Sequence, residues 1–176
     1  MNHTKNIVKK PWGYEYLMYE NEHAALWFLH IKKGEKTSMH CHPNKTTGLA
    51  FVDGEVNVSF LSGVNELKPL SKIMIRKGLF HSTEATSDGG AYVLEIETPV
   101  DKQDLVRFKD NYGREGKPYE DHTFEYPKLS DCVWIDEPSP GNSNIYKVNN
   151  NFLQVFNVES LSFFEKFTKE TNIMFL

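Results

Sequence analysis

Turn-forming residues divide the first hundred positions into short segments of roughly ten residues each. Within the segments apolar and polar residues alternate, as in Val56, Val58 and Phe60, which is the pattern of a strand with one buried face. Asp53 and Gly54 are a strong signal for a two-residue hairpin between two such strands. This spacing is typical of a sandwich or barrel, so the sequence predicts an all-β fold with no helix before residue 100.

Composition excludes several classes of protein. With 176 residues, 39% of them hydrophobic and 13% aromatic, the chain is long and apolar enough for one folded domain with an appendage. The net charge of −4 argues against a nucleic-acid surface, and no apolar run is long enough to span a bilayer. Cys41 and Cys132 fit neither a zinc spacing nor a disulfide framework, and the first residues lack the apolar core of a signal peptide. We therefore expect a cytoplasmic protein without nucleic-acid or membrane partners.

The residue composition of the sequence changes after Pro99. Residues 101–126 are charged and aromatic, and residues 136–144 form a polar linker rich in helix and strand breakers. Beyond it, residues 152–158 are predicted as a strand and residues 160–169 as a short amphipathic helix, before an apolar end at 173–176. We divide the chain into a barrel at 1–127 and a small mixed appendage at 128–176, consisting of a strand, a short helix and a strand. The apolar end needs cover, which favours a homodimer.

His40 and His42 are the first candidates for chemistry. Side chains alternate between the two faces of a strand, so these histidines point one way and Cys41 points the other. Two imidazoles on one face can chelate a divalent ion such as Zn, Fe, Mn or Ni. The alternative is that both histidines lie on the surface and are solvated. Cys41, which points the other way, is interpreted as a small core thiol.

The spacing around these histidines resembles a known family. Gly34, His40, His42, Thr47 and Gly54 match the spacing of the first cupin motif, and residues 76–81, ending in a third histidine, resemble the second. Residues 10–15 and 97–114 look like the sugar-associated cupins related to type II mannose-6-phosphate isomerase. The resemblance covers roughly residues 8–100. It implies a cupin jelly-roll, or double-stranded β-helix, with His40, His42 and His81 inside the barrel as ligands of one metal ion.

The chain departs from the cupin pattern at two positions. Thr47 stands where the family has a glutamate ligand, and Ala85 stands where it has an asparagine. Three neutral imidazoles leave the full charge of a divalent ion uncompensated, so the site should prefer a small anionic or sugar-like ligand. Three protein ligands with open positions are also the pattern of a catalytic metal site.

Other residues are candidates for the pocket or for the missing ligand. Thr47 should share the inward face, while Lys10, Trp12 and Tyr14 are candidates for the pocket mouth; packing in the core is the alternative for each. Glu95 and Glu97 share one face of a later strand, where one of them could replace the missing carboxylate or both could be exposed.

Three functions remain open from the sequence. The resemblance implies a sugar-phosphate or nucleotide-sugar isomerase or epimerase of surface-polysaccharide metabolism, in which the metal polarises a carbonyl and stabilises an enediolate. Its general base is not identified. Three histidines without a carboxylate also resemble three-histidine non-haem iron dioxygenases. Loss of the glutamate and asparagine instead fits a non-catalytic sugar-binding or partner domain.

Overall fold

Short antiparallel strands make up most of the described chain. The computed structural model describes residues 7–117, 119, 127–169, 171 and 173. The strands within these residues are β1 (Ile7–Lys10), β2 (Gly13–Glu20), β3 (Ala25–Ile31), β4 (Met39–Cys41), β5 (Thr46–Asp53), β6 (Val56–Phe60), β7 (Gly63–Leu67), β8 (Lys72–Ile75), β9 (His81–Ala85), β10 (Ala91–Thr98), β11 (Val106–Lys109), β12 (Ser143–Val148) and β13 (Asn151–Phe156). Two 3₁₀-helices, Leu129–Asp131 and Leu161–Lys166, complete the described elements. The all-β prediction is confirmed, and within the described residues no helix is long and apolar enough to cross a bilayer.

Two sheets enclose the core. One has the order β1-β2-β3-β10-β5-β8 and the other the order β11-β4-β9-β6-β7, with antiparallel pairing in both. Trp27, Phe51 and Val93 from the first sheet pack with Val56 and Val58 from the second, and all five are almost fully buried. The alternating apolar residues of the sequence therefore form one interior, as expected for a jelly-roll.

The predicted hairpin at Asp53 and Gly54 is wrong. β5 ends at Asp53 and pairs with β10 and β8, whereas β6 begins at Val56 and pairs with β7 and β9 in the other sheet. The turn is therefore a corner between sheets. Gly54 has φ +80°, and a Cβ there would lie 2.1 Å from the carbonyl oxygen of Gly90. The tight turn signal was correct, but the local sequence does not reveal which sheet receives the next strand.

Alternation along β10 separates two environments. Val93 belongs to the core between the sheets, and Leu94 belongs to a second apolar cluster on the outer face of the six-stranded sheet. Ile135 and Val148, from the C-terminal part of the chain, are buried in that outer cluster. The C-terminal segments thus cover part of the outside of the barrel, while Glu95 and Glu97 have the inward parity of Val93.

The C-terminal part differs from the predicted order of elements. β12 and β13 form a hairpin, so the predicted linker at 136–144 runs into a strand that was not foreseen. The predicted helix is a 3₁₀-helix in which Leu161 is 85% exposed, and the contacts instead come from Phe163, Phe164 and Phe167 around Phe156. The predicted last strand lies largely outside the described residues. The domain division itself stays a prediction.

Candidate metal centre

Three histidines meet at one point inside the barrel. His40 lies on β4 opposite His81 at the start of β9, and His42 follows β4 directly. One nitrogen of each ring lies within 4.8 Å of the others, and the ring centroids are separated by 4.4 Å to 5.6 Å. Cys41 is 5% exposed and lies outside this group, as strand alternation predicts. The two motif spacings therefore bring together the three imidazoles that the sequence singled out.

The main chain fixes the orientation of every one of these rings. In each ring Nδ1 hydrogen-bonds to a backbone carbonyl, which can only accept, so Nδ1 carries the proton and Nε2 keeps its lone pair. The acceptors are Ser38 for His40 at 2.7 Å, Asp104 for His42 at 2.6 Å and Leu79 for His81 at 3.1 Å. Such an outer hydrogen bond is what holds a metal-binding imidazole in one tautomer and one orientation.

The electrostatics of the group suit a cation. Burial and the nearby Lys45 ammonium lower the pKa of His42 to about 3. Burial, together with the other two rings, holds the pKa of His40 well below its usual value, and burial also lowers the pKa of His81. All three are therefore neutral at pH 7, as ligation requires. Nε2 of His42 is buried without a hydrogen-bond partner among the described residues, so a bound ion would satisfy it.

Thr47 faces this region from β5. The residue is 1% exposed, and its Oγ1 has no hydrogen-bond partner within the described part of the chain. Its inward position was predicted from the alternation with Leu49 and Phe51, both of which are buried in the core. A buried hydroxyl without a partner is costly, which suggests that a ligand or water uses it.

The carboxylate of Glu97 forms an ion pair and a hydrogen bond with other core residues. Its carboxylate pairs with the ammonium of Lys45 and accepts a hydrogen bond from Nε1 of Trp27 at 2.7 Å. All three residues are at most 1% exposed. The alternative that Glu97 is a surface residue is therefore wrong, and its contacts leave it badly placed to replace the missing ligand.

A second set of buried charges lies beside the first. Glu15 accepts a hydrogen bond from the Tyr119 hydroxyl and lies 3.7 Å from Nζ of Lys10 and 3.5 Å from Nζ of Lys102. Burial alone would raise the pKa of Glu15, but the two ammonium groups outweigh it and lower the pKa to about 2. Lys102 also lies 3.9 Å above the ring of Trp27, a cation–π contact. Sequence reasoning missed Glu15, Lys45 and Lys102.

A small cavity of about 60 Å³ connects these groups with the histidines. Lys10 and Trp12, two of the pocket candidates, line it, and so do Arg107 and Arg114. Tyr14, the third candidate for the pocket mouth, is not among the lining residues. It has the opposite strand parity to Glu15, so its ring lies on the outer face of the sheet, 5.1 Å from that of His30.

Asp104 connects the cavity wall to a histidine. Its carboxylate accepts hydrogen bonds from the backbone amides of Asn44 at 2.8 Å and Lys45 at 2.9 Å, and from the Asn44 side chain at 2.9 Å. Its own carbonyl accepts from Nδ1 of His42. One residue thus holds the turn after His42 and the ring itself, a role that no sequence signal indicated.

Comparison with solved structures identifies the fold. The chain superimposes on an RmlC-like cupin from Shewanella frigidimarina with a TM-score of 0.50 at 14% identity, covering 58% of this chain and 90% of that one. The chain has the cupin fold. The chain also resembles the capsular polysaccharide assembling protein CapF from Staphylococcus aureus, with a TM-score of 0.53 at 16% identity over 59% of this chain and 34% of CapF.

At the level of sequence the relationships are weaker. No protein-family profile matches this chain. It is 26% identical over 115 residues to the mannose-1-phosphate guanylyltransferase ManC of Salmonella typhimurium. The match covers 64% of this chain but only 24% of the guanylyltransferase.

Proposed function

We propose that this cupin holds one divalent metal ion with His40, His42 and His81 and acts there on a small anionic, sugar-linked substrate. The reaction class is isomerisation or epimerisation of a sugar phosphate or nucleotide-linked sugar. The observation that carries the proposal is the set of three imidazoles whose Nδ1 atoms are all hydrogen-bonded to carbonyls, which leaves three Nε2 lone pairs for one ion.

Charge in the cavity supports an anionic ligand. Lys10, Lys45 and Lys102 are matched in number by Glu15, Glu95 and Glu97, Arg114 is paired with Asp110, and Arg107 also lines the cavity, so the protein groups leave no excess of negative charge there. Three neutral imidazoles add no negative charge, and Thr47 adds none where a carboxylate would have done so. A bound dication would therefore set the sign of the potential in the cavity and attract anions.

The sugar-linked substrate class draws support from the relatives. The guanylyltransferase that matches over 115 residues acts on mannose 1-phosphate, and CapF assembles capsular polysaccharide. The proposal extends this chemistry to the present chain, whose match covers a quarter of the first protein and a third of the second.

A metal ion bound here would supply Lewis-acid polarisation of a substrate oxygen. The chain's own residues hold the geometry. Asp104 and the other carbonyls orient the rings, and the pairs formed by Lys45 and Lys102 with glutamates keep the cavity wall rigid. The buried ring of Trp12 forms an apolar part of the cavity lining, and an apolar wall strengthens electrostatic contacts with a bound ligand.

The first test is metal content followed by turnover. Protein purified without chelator is expected to contain about one divalent ion per chain, and sugar phosphates incubated with it in D₂O should exchange a carbon-bound proton, as followed by NMR. The matched control is His42→Ala, which should lose both properties. Stoichiometric metal without exchange on any aldose or ketose phosphate would remove the isomerase proposal and leave a binding domain. Iron content with oxygen consumption would instead favour the three-histidine dioxygenase.

Self-association remains a proposal of its own. Part of the outer face of the six-stranded sheet is covered by Ile135 and Val148 of the same chain. Sedimentation equilibrium at tens of micromolar protein tests whether a homodimer forms.

A further inference from the structure

Glu95 differs from the other buried carboxylates of the cavity. It lies on β10 between Trp27 of β3 and Leu49 of β5, and it is 8% exposed. Its strand parity is that of Val93 and Glu97, so its side chain points inward and lines the same cavity as His40 and His42.

The neighbouring carboxylates form close ion pairs and hydrogen bonds, whereas Glu95 interacts with the Lys102 ammonium only at longer range. Glu97 is bound by Lys45 and Trp27, and Glu15 by Lys10, Lys102 and Tyr119. Among the described residues, none donates a hydrogen bond to Glu95 or forms an ion pair with it. A carboxylate that is more than nine-tenths buried and lacks donors is unfavourable unless a ligand supplies one.

Glu95 is also outside the group of possible metal ligands. The three histidine nitrogens lie within 4.8 Å of one another, and no oxygen of Glu95 joins them. It is close enough for its negative charge to raise the pKa of His81 in opposition to the effect of burial. The carboxylate therefore lines the cavity near the histidine group without belonging to it.

We infer that Glu95 contacts the substrate, accepting a hydrogen bond from a hydroxyl group of the ligand held at the three-histidine site. This inference rests on the proposed function and specifies which part of the substrate reaches the site. A carboxylate repels a phosphate but accepts from a hydroxyl, so the hydroxyl-bearing carbon chain of the sugar, and not its phosphate, lies against the histidines. Thr47, on the neighbouring strand β5, has a buried hydroxyl that lacks a hydrogen-bond partner among the described residues.

The test uses the protein loaded with Co²⁺ and two small probes, azide and glycolate, with binding followed by the visible absorption of the ion. Azide is an anion without a hydroxyl group, whereas glycolate binds through its carboxylate and keeps an alcohol hydroxyl as a donor. In Glu95→Gln the affinity for azide should rise several-fold because a repelling charge is lost, and the affinity for glycolate should fall about tenfold or more. Affinity for Co²⁺ should change less than about threefold, since Glu95 is not a ligand.

Two further variants make the result specific. Glu84→Gln is the matched control, because Glu84 lies on β9 with His81 but has the opposite strand parity; it should leave both affinities unchanged. Glu95→Asp keeps the charge but shortens the reach, so it should weaken the binding of glycolate only, and it serves if the glutamine variant folds poorly. Unchanged or parallel responses of the two probes would overturn the inference even if sugar phosphates are turned over. Failure to bind Co²⁺ would overturn the proposed function as well.

Discussion

Nδ1 of His42 donates a hydrogen bond to the main-chain carbonyl of Asp104, 2.6 Å away, across 62 positions of sequence. The Asp104 carboxylate in turn holds the backbone amides of Asn44 and Lys45, so the orientation of the ring and the turn that follows it depend on one residue. Asp104 is therefore a positioning residue for the metal centre.

Replacing Asp104 by alanine should weaken metal binding by about 10-fold to 100-fold, as loss of an outer-shell contact typically does. The carbonyl remains, but the segment that presents it loses three hydrogen bonds to its carboxylate. Isothermal titration with Zn²⁺ measures the effect, and Asp88→Ala, at an exposed ion pair with Lys33, is the control. Equal affinities in the two variants would show that the turn is held without Asp104.

Removing a histidine should have a larger effect than removing its support. His42→Ala deletes one of three nitrogens and should lower Zn²⁺ affinity at least about 100-fold, while the fold is retained. His23→Ala is the matched control, because the side chain of His23 is 78% exposed and lies outside the cluster. Dialysis against a metal buffer followed by elemental analysis gives the occupancies; a His42→Ala protein that keeps a full ion would disprove the site.

The pair of Lys45 and Glu97 predicts strong coupling. Lys45→Met leaves the fully buried Glu97 carboxylate with only the more distant ammonium of Lys102, 3.9 Å away, and should cost about 3 kcal/mol in the free energy of unfolding. The double variant Lys45→Met, Glu97→Gln removes both charges but keeps an acceptor for Trp27, so it should be clearly more stable than the Lys45→Met variant. Urea unfolding of the wild-type protein, the two single variants and the double variant is the measurement. Additive losses would contradict a direct pair.

Acid should destabilise the metal-free protein from about pH 6.5 downward. The pKa of His42 is lowered to about 3 by burial and Lys45, so between these values the unfolded state binds more protons than the folded one and stability falls with pH. Glu15, whose pKa is lowered to about 2, adds to the loss below about pH 4.5. Each such group contributes at most ~1.4 kcal/mol per pH unit within its window.

Urea midpoints between pH 7 and pH 4 measure this slope. In His42→Asn the slope between pH 6.5 and 4.5 should become smaller, because one buried neutral imidazole is gone. An identical slope would assign the acid sensitivity to other groups.

Thr47→Val exchanges an unpartnered hydroxyl for a methyl group of similar size. In the ligand-free protein the variant should be as stable or more stable, by up to about 1 kcal/mol, because the desolvated hydroxyl gains nothing there. Thermal unfolding without ligand, compared with phosphate binding to the metal-loaded protein, separates the two roles. A marked loss of stability would show that Oγ1 has a structural partner.

Local sequence patterns predicted the features that depend on the alternation of side chains along a strand and on turn residues. The histidines His40 and His42 converge because they are one pleat apart, and Cys41 is buried on the other side for the same reason. The same rule, applied to β2, would have excluded Tyr14 and found Glu15, since residues of opposite parity face opposite sides of the sheet.

Other features depend on contacts that a local pattern does not contain. The corner at Gly54 has the residues of a hairpin, and only the closeness of Gly90 shows that the chain changes sheet there. Asp104 and Lys102 lie in a charged segment that resembles a solvated loop, yet they contact His42 and Trp27 across the barrel. Both the corner at Gly54 and the contacts of Asp104 and Lys102 depend on packing between segments that are far apart in the sequence.

Ile135 and Val148 share one apolar cluster with Phe28 and Leu94 of the barrel, so the barrel and the appendage are joined by buried surface as well as by the peptide chain. Heat should therefore melt them together, with calorimetric and van't Hoff enthalpies in agreement. An expression boundary placed near residue 128 would expose the sheet's apolar outer face and lower the yield of monodisperse protein. The fragment worth expressing on its own is thus larger than the barrel.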